Sequence, residues 1–181
     1  MKDQNTPLKA GLNAGLILGI LSVVITFIVY FISPVTMVSG MYGIAMLVLF
    51  FGLLIYLGIQ YRNSLGGYME FGKAFQYSFI ALLVAGIISQ IGNALLYNVI
   101  DPALPGVLAD QTMENTMAMM EKFGAADAIS DEQLDQMRAD TEANFTLVGQ
   151  LKALGIATII YVIFALILGA ILKKRDKSLD Y

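Results

Sequence analysis

Polar and apolar positions are not interleaved along this chain; they fall into long separate blocks. Four stretches, 10–32, 35–59, 74–100 and 153–172, contain no Asp, Glu, Lys or Arg. A helix rises about 1.5 Å per residue, so each stretch can cover the roughly 30 Å of bilayer hydrocarbon. Soluble helices of this length would carry a polar face at helical period, and none of the four shows a charged one. The pattern predicts an all-α integral membrane protein with four transmembrane helices. Lys2 and Lys9 precede the first block as they would a secretory signal. Its apolar run is too long for a signal core and no small-x-small cleavage site follows, so an uncleaved first helix is expected.

The breaks between blocks differ in kind. The first is only Ser33-Pro34. Proline lacks a donor and disfavours a helical residue before it, so a tight turn between antiparallel neighbours is expected. The second, Gln60–Lys73, is a short polar loop with Tyr56 and Tyr61 placed as interfacial aromatics. The third, residues 101–150, holds ten of the chain's 14 acidic residues. Asp101-Pro102 reads as a helix start, with Pro105-Gly106 interrupting or delaying it. Met113, Met117, Met120 and Phe123 form an apolar stripe, and Gly124 is a left-handed stop. A second helix opens at Ser130, with Gln133 completing a capping box, and carries Leu134, Met137, Thr141, Phe145 and Val148 on one side. The insert is therefore an amphipathic helical hairpin whose stripes pack on each other or lie against headgroups. With nothing stronger than Gly149 to break it, its second helix is expected to run on into the last membrane block, with Lys152 at the interface.

Small residues mark where membrane helices approach closely, because lipid supplies no hydrophobic force between them. Gly11, Gly15 and Gly19 fall four apart on one face; Gly40 and Gly43 mark the second block, Ala165 and Gly169 the last. The first face is expected to meet the second helix, the fourth, or another copy of the chain. In the third block Gln90 and Asn93 are three apart and share a face. Buried amides of this kind hydrogen-bond across helix interfaces; the sharper alternative is a path for a solute.

Composition restricts the chemistry. The chain is 57% hydrophobic and 14% charged, against roughly 45–50% and 25% for soluble domains. It has no Cys and no His, so it lacks disulfides, thiol nucleophiles, the commonest general base and the commonest transition-metal ligand. At membrane depth only amides and hydroxyls remain. The carboxylates of Asp127, Asp131, Glu132 and Asp135 lack the spacing and central glycine of a calcium loop and read as a solvated face. A net charge of −3 disfavours nucleic acid. No catalytic residue, metal or cofactor is expected, and the protein is not expected to be an enzyme.

Charge also sets an orientation. With the N-terminus inside, Lys2, Lys9, Arg62, Lys73, Lys173, Lys174, Arg175 and Lys177 lie on the cytoplasmic side, and only Lys122, Arg138 and Lys152 on the other. Positive residues in short flanking loops stay cytoplasmic, so both termini are expected inside and the hairpin outside. The halves also echo each other: Lys9-Ala10 with Lys73-Ala74, Gly43-Ile44-Ala45 with Gly155-Ile156-Ala157, and Arg62 with Arg175. Either these mark a parallel repeat about an axis along the membrane normal, or they are chance similarity of apolar helices.

The run Gly66-Gly67-Tyr68-Met69-Glu70-Phe71-Gly72-Lys73-Ala74-Phe75, then Tyr97-Asn98-Val99-Ile100-Asp101-Pro102, an acidic helical insert and a final helix ending in lysines resemble a membrane family. It is the bacterial domain-of-unknown-function family DUF4199, seen mainly in Bacteroidota. The resemblance covers nearly the whole chain. It implies a four-helix bacterial inner-membrane protein and brings no established activity and no catalytic residues. The expected role is structural, accessory or interaction-based, through helix packing and the acidic hairpin, with the lipid bilayer and a second copy or another membrane protein as partners. The alternative is a small transporter or a component of an oligomeric channel, using the polar face of the third helix.

Overall fold

The computed structural model describes residues 6–124 and 129–175; Lys2, Asp127 and Lys177, named above, lie outside them. Among the described residues the chain forms six α-helices: α1 (Pro7–Ile32), α2 (Gly40–Ser64), α3 (Phe71–Leu95), α4 (Leu104–Lys122), α5 (Asp131–Phe145) and α6 (Leu147–Leu172). A π turn, Leu96–Ile100, prolongs α3. Four of these, α1, α2, α3 with its π turn, and α6, are long and apolar enough to cross a membrane.

Several boundaries differ from the expectation. The second membrane helix starts at Gly40 rather than 35, because Pro34–Val38 forms a 3-10 turn. Ser39 then caps α2, its Oγ accepting the Tyr42 amide at 3.3 Å. The helix also runs past residue 59 to Ser64, with Arg62 in its last turn. α5 and α6 are not continuous either: Thr146 is extended (φ −69°, ψ 161°) and separates them.

The chain folds into two compact units. One comprises Met1–Val23, Leu47–Ser89 and Leu154–Tyr181; the other comprises Val24–Met46 and Gln90–Ala153.

In the first unit the contacts fix the directions of four helices. A methyl added at Gly11 would lie 2.8 Å from the Tyr77 carbonyl oxygen, one at Gly15 2.7 Å from Val84 Cβ, and one at Gly19 2.7 Å from Ile88 Cβ. The partner positions rise with the glycines, so α1 and α3 run parallel there. The expectation named the second helix, the fourth or another copy as the partner of this glycine face; it is the third. Sequence spacing identifies a close-approach face and carries no information about its mate. The Phe51 and Phe164 rings meet edge to face at 4.8 Å, and Gly58 sits against Leu172, so α2 and α6 are also parallel. The two pairs are mutually antiparallel: Gly86 faces Tyr161, whereas Gly169 faces Phe71 and Phe75. These directions are those a parallel repeat requires, and any up-and-down four-helix arrangement shares them.

The core of this unit is Ala14, Leu18, Leu54, Tyr61, Met69, Ala74, Tyr77, Ala81, Leu168 and Leu172. Tyr77 is its largest fully buried side chain, and its hydroxyl donates to the Leu54 carbonyl at 3.2 Å. Tyr61 was expected as an interfacial aromatic but stacks on Tyr77 at 5.4 Å and is 6% exposed; Tyr56 is 58% exposed. Gly40 and Gly43 also depart from expectation: nothing lies within 4 Å of a Cβ built on either. Their frequency reflects the tolerance of membrane helices for glycine, and neither position is a helix contact.

The second unit gathers Leu96, Tyr97, Leu104 and Leu108 into a buried cluster, with Phe27, Tyr30, Met37, Val38 and Phe145 against it. The 3-10 turn and α4 meet here, and the Asn115 amide donates to the Val38 carbonyl at 3.3 Å.

Candidate functional site

The site with the most polar chemistry is the hairpin of α4 and α5 and the joint that connects it to α6. Its first anchor is Asp101. One carboxylate oxygen accepts the Ala103 and Leu104 amides, each at 3.2 Å, satisfying donors that the start of α4 would otherwise leave unpaired. The other accepts the Tyr30 hydroxyl at 3.0 Å. The π turn supports this placement: the Asp101 amide reaches back to the Leu96 carbonyl at 2.8 Å. Helix α4 begins at Leu104 with Pro105 in its first turn, which is the delayed start read from Pro105-Gly106. It ends at Lys122, and Gly124, two residues on, is in the left-handed region at φ +68°.

α5 opens with the expected capping box: Ser130 Oγ accepts the Gln133 amide, and the Gln133 side chain accepts the Ser130 amide. The two helices pack on each other. Met113, Met117 and Met120 on α4 are half-buried, as are Leu134, Met137, Thr141 and Phe145 on α5. Thr141 Oγ1 lies 4.0 Å from Met113 Sδ, and Phe145 meets Tyr97 edge to face at 5.6 Å. Of the two arrangements open to the stripes, they adopt mutual packing. Phe123 and Val148 leave the stripe, at 81% and 62% exposed.

The outer faces carry charge. Asp110, Glu114, Glu121, Glu132, Asp135, Asp140 and Glu142 are all exposed. Arg138 bridges the helices, 2.7 Å from Asp110 and 3.8 Å from Glu142. Such exposed pairs contribute about 0–1 kcal/mol, so the bridge sets register more than stability. Among the described residues no three His, Cys, Asp or Glu side chains converge as a metal site. A cleft of about 760 Å³ opens between the start of α4 and the end of α5, lined by Tyr97, Asn98, Pro105, Gly106, Glu142, Phe145 and Thr146 among others. It offers one carboxylate, one side-chain amide and the hydroxyls of Tyr97 and Thr146.

Of the residues that build the joint to α6, the sequence reading named Gly149 as a weak breaker and did not single out Thr146 or Gln150. Thr146 caps α6: its Oγ1 accepts the Gly149 amide at 3.1 Å and donates to the Ala143 carbonyl at 2.7 Å. Glycine is required at 149 because a Cβ there would collide with the Ala143 carbonyl oxygen. Gln150 is 5% exposed; its Nε2 donates to the Phe145 carbonyl at 2.8 Å, while its own carbonyl accepts Gln90 Nε2 at 2.8 Å. Gln90 is thus a cross-helix hydrogen bonder, as amides in membrane helices generally are, and Gln150 is the partner that spacing could not name. Asn93 is half-buried on the same stretch of α3. The packing residues Ala165 and Gly169 are both buried on α6, in the first unit. A threonine followed three residues on by glycine is a weak signal, outweighed in the sequence by the helical spacing of Phe145 and Val148.

Helices of this length and composition, joined by short turns and one amphipathic insert, define an all-helical multi-pass membrane protein. The chain belongs to the family described as Protein of unknown function (DUF4199), whose profile matches residues 13–174. No curated protein and no solved structure matches it.

Proposed function

We propose that this is a non-enzymatic membrane protein that displays the acidic hairpin of α4 and α5 to a partner on the extracytoplasmic side of a bacterial inner membrane, with both termini in the cytoplasm. The observation that carries the reading is the hairpin's construction. Its methionine and leucine stripes are half-buried between the two packed helices, so the open surface left for a partner is the carboxylate-rich one. The orientation is supported by eight positive residues on the termini and the α2–α3 loop against three in and beside the insert.

Gly11, Gly15 and Gly19, which could have served a second copy, are occupied within the chain by α3. That shifts the expected partner contact from the glycine faces to the hairpin. A solute path along α3 draws no support from Gln90, whose amide is held by the Gln150 carbonyl. The test is photocrosslinking in native membranes from a probe replacing Asp135, on the exposed face of α5, with a second probe at the exposed apolar Ile159 of α6 as the control. The reading expects a discrete protein adduct from position 135 that high salt weakens. Monomer alone from position 135, or equal adducts from both positions, would overturn it.

A further inference from the structure

The first unit brings several helix ends together, and with them most of the chain's described positive charge. Helix α2 ends at Ser64, α3 begins at Phe71 and α6 ends at Leu172. The contact directions above put these three termini at one end of the unit. Gly66 and Gly67, at φ +93° and +89°, turn the chain back on itself between α2 and α3. Met69 then pairs with Lys174 in an antiparallel bridge, its amide donating to the Lys174 carbonyl at 3.0 Å and its carbonyl accepting the Lys174 amide at 2.8 Å. The Lys174 ammonium lies 5.7 Å from the centre of the Tyr68 ring. This clasp fixes the segment after α6 beside the α2–α3 loop, which a flexible basic tail would not be.

Arg62 stands under the clasp. Its Nη1 donates to the Leu172 carbonyl at 3.2 Å, closing the C-terminus of α6. Its Nε is buried with no acceptor. A guanidinium has five N–H donors in a rigid fork suited to phosphate, and a buried donor without an acceptor is costly. Lys173, Lys174 and Arg175 are exposed immediately after α6. Lys73 is within 3.9 Å of Glu70, itself exposed. Glu70 is the one carboxylate that the described residues place on this loop. The helices end here, so the cluster lies at headgroup depth.

We propose that Arg62, Lys173 and Lys174 form a headgroup site for an anionic phospholipid. Orientation by positive charge needs only charge, and it does not explain the clasp. The site accounts for the clasp: the backbone bridge fixes Lys174, and Lys173 beside it, next to the loop that follows Arg62, so the three cations stand at one set of helix ends.

The test uses the full chain in detergent, with native mass spectrometry of retained lipid. The probes are phosphatidylglycerol, phosphatidylcholine and inorganic phosphate. Wild type is expected to retain one phosphatidylglycerol per chain in preference to phosphatidylcholine. Lys173→Gln with Lys174→Gln leaves the backbone bridge in place and is expected to weaken retention roughly fivefold per charge. Arg62→Lys keeps the charge, and therefore the orientation, and is also expected to weaken retention. Equal retention of the two lipids, or unchanged retention in the double lysine variant, would overturn the proposal. So would displacement of the lipid by millimolar inorganic phosphate, which would make this a site for soluble anions. Arg62→Lys binding as wild type would show that the guanidinium adds nothing beyond its charge and contradict its place in the site.

Discussion

A glycine in a membrane helix is informative only where something stands against it. Gly15 and Gly43 have the same residue type and similarly apolar neighbours. A Cβ at Gly15 would sit 2.7 Å from Val84 Cβ and 2.8 Å from the Ala81 carbonyl oxygen, whereas one at Gly43 would meet nothing within 4 Å. Overpacking a close contact costs about 1–3 kcal/mol, and surface substitutions stay within about 0.5 kcal/mol. Gly15→Leu is therefore expected to lower stability by about 1–3 kcal/mol or prevent folding, as read by unfolding in mixed micelles, while Gly43→Leu leaves it unchanged. Similar effects at the two sites would mean that α1 does not pack on α3 as described. Thr146 is the second decisive residue. Its hydroxyl both accepts and donates at the joint, so Thr146→Ala is expected to cost about 1 kcal/mol, the usual value of a lost N-cap. Amide exchange should then accelerate at Gly149 and its neighbours; unchanged exchange there would deny the cap its role.

Among the elements, legibility followed the strength of the local signal. The four membrane blocks were visible because charge is absent over twenty or more residues. The hairpin was visible because its signals are local: the Ser130–Gln133 capping box, the Gly124 stop and the methionine stripe all act within a few residues. What failed depended on distant partners or on competition between signals. The start of α2 was displaced to Gly40 because a proline that ends one helix can also wind a 3-10 turn before the next. The break at Thr146 was hidden because Phe145 and Val148 kept helical spacing across it. Tyr61 was placed at the interface from its distance to a polar loop, yet a long α2 and a ring stacked on Tyr77 bury it. Gln150 was invisible as a site residue because its importance lies in its contact with Gln90, 60 positions away.

At the scale of the whole molecule, charge of opposite sign is gathered in different segments. The acidic residues are concentrated on the hairpin, and the basic ones on the termini and the α2–α3 loop. The proposed topology puts that loop and the insert in opposite compartments, because the one helix between them, α3, is long and apolar enough to cross a membrane. The proposed partner surface and the proposed lipid site both depend on which compartment each one meets. The chain has no native cysteine, so single cysteines can report this directly. Ser64, at the end of α2, and Phe123, at the end of α4, are both exposed. Labelling intact cells with a membrane-impermeant maleimide is expected to modify Phe123→Cys, and to modify Ser64→Cys only after the membrane is opened. Labelling of Ser64→Cys in intact cells, with Phe123→Cys protected, would contradict the account.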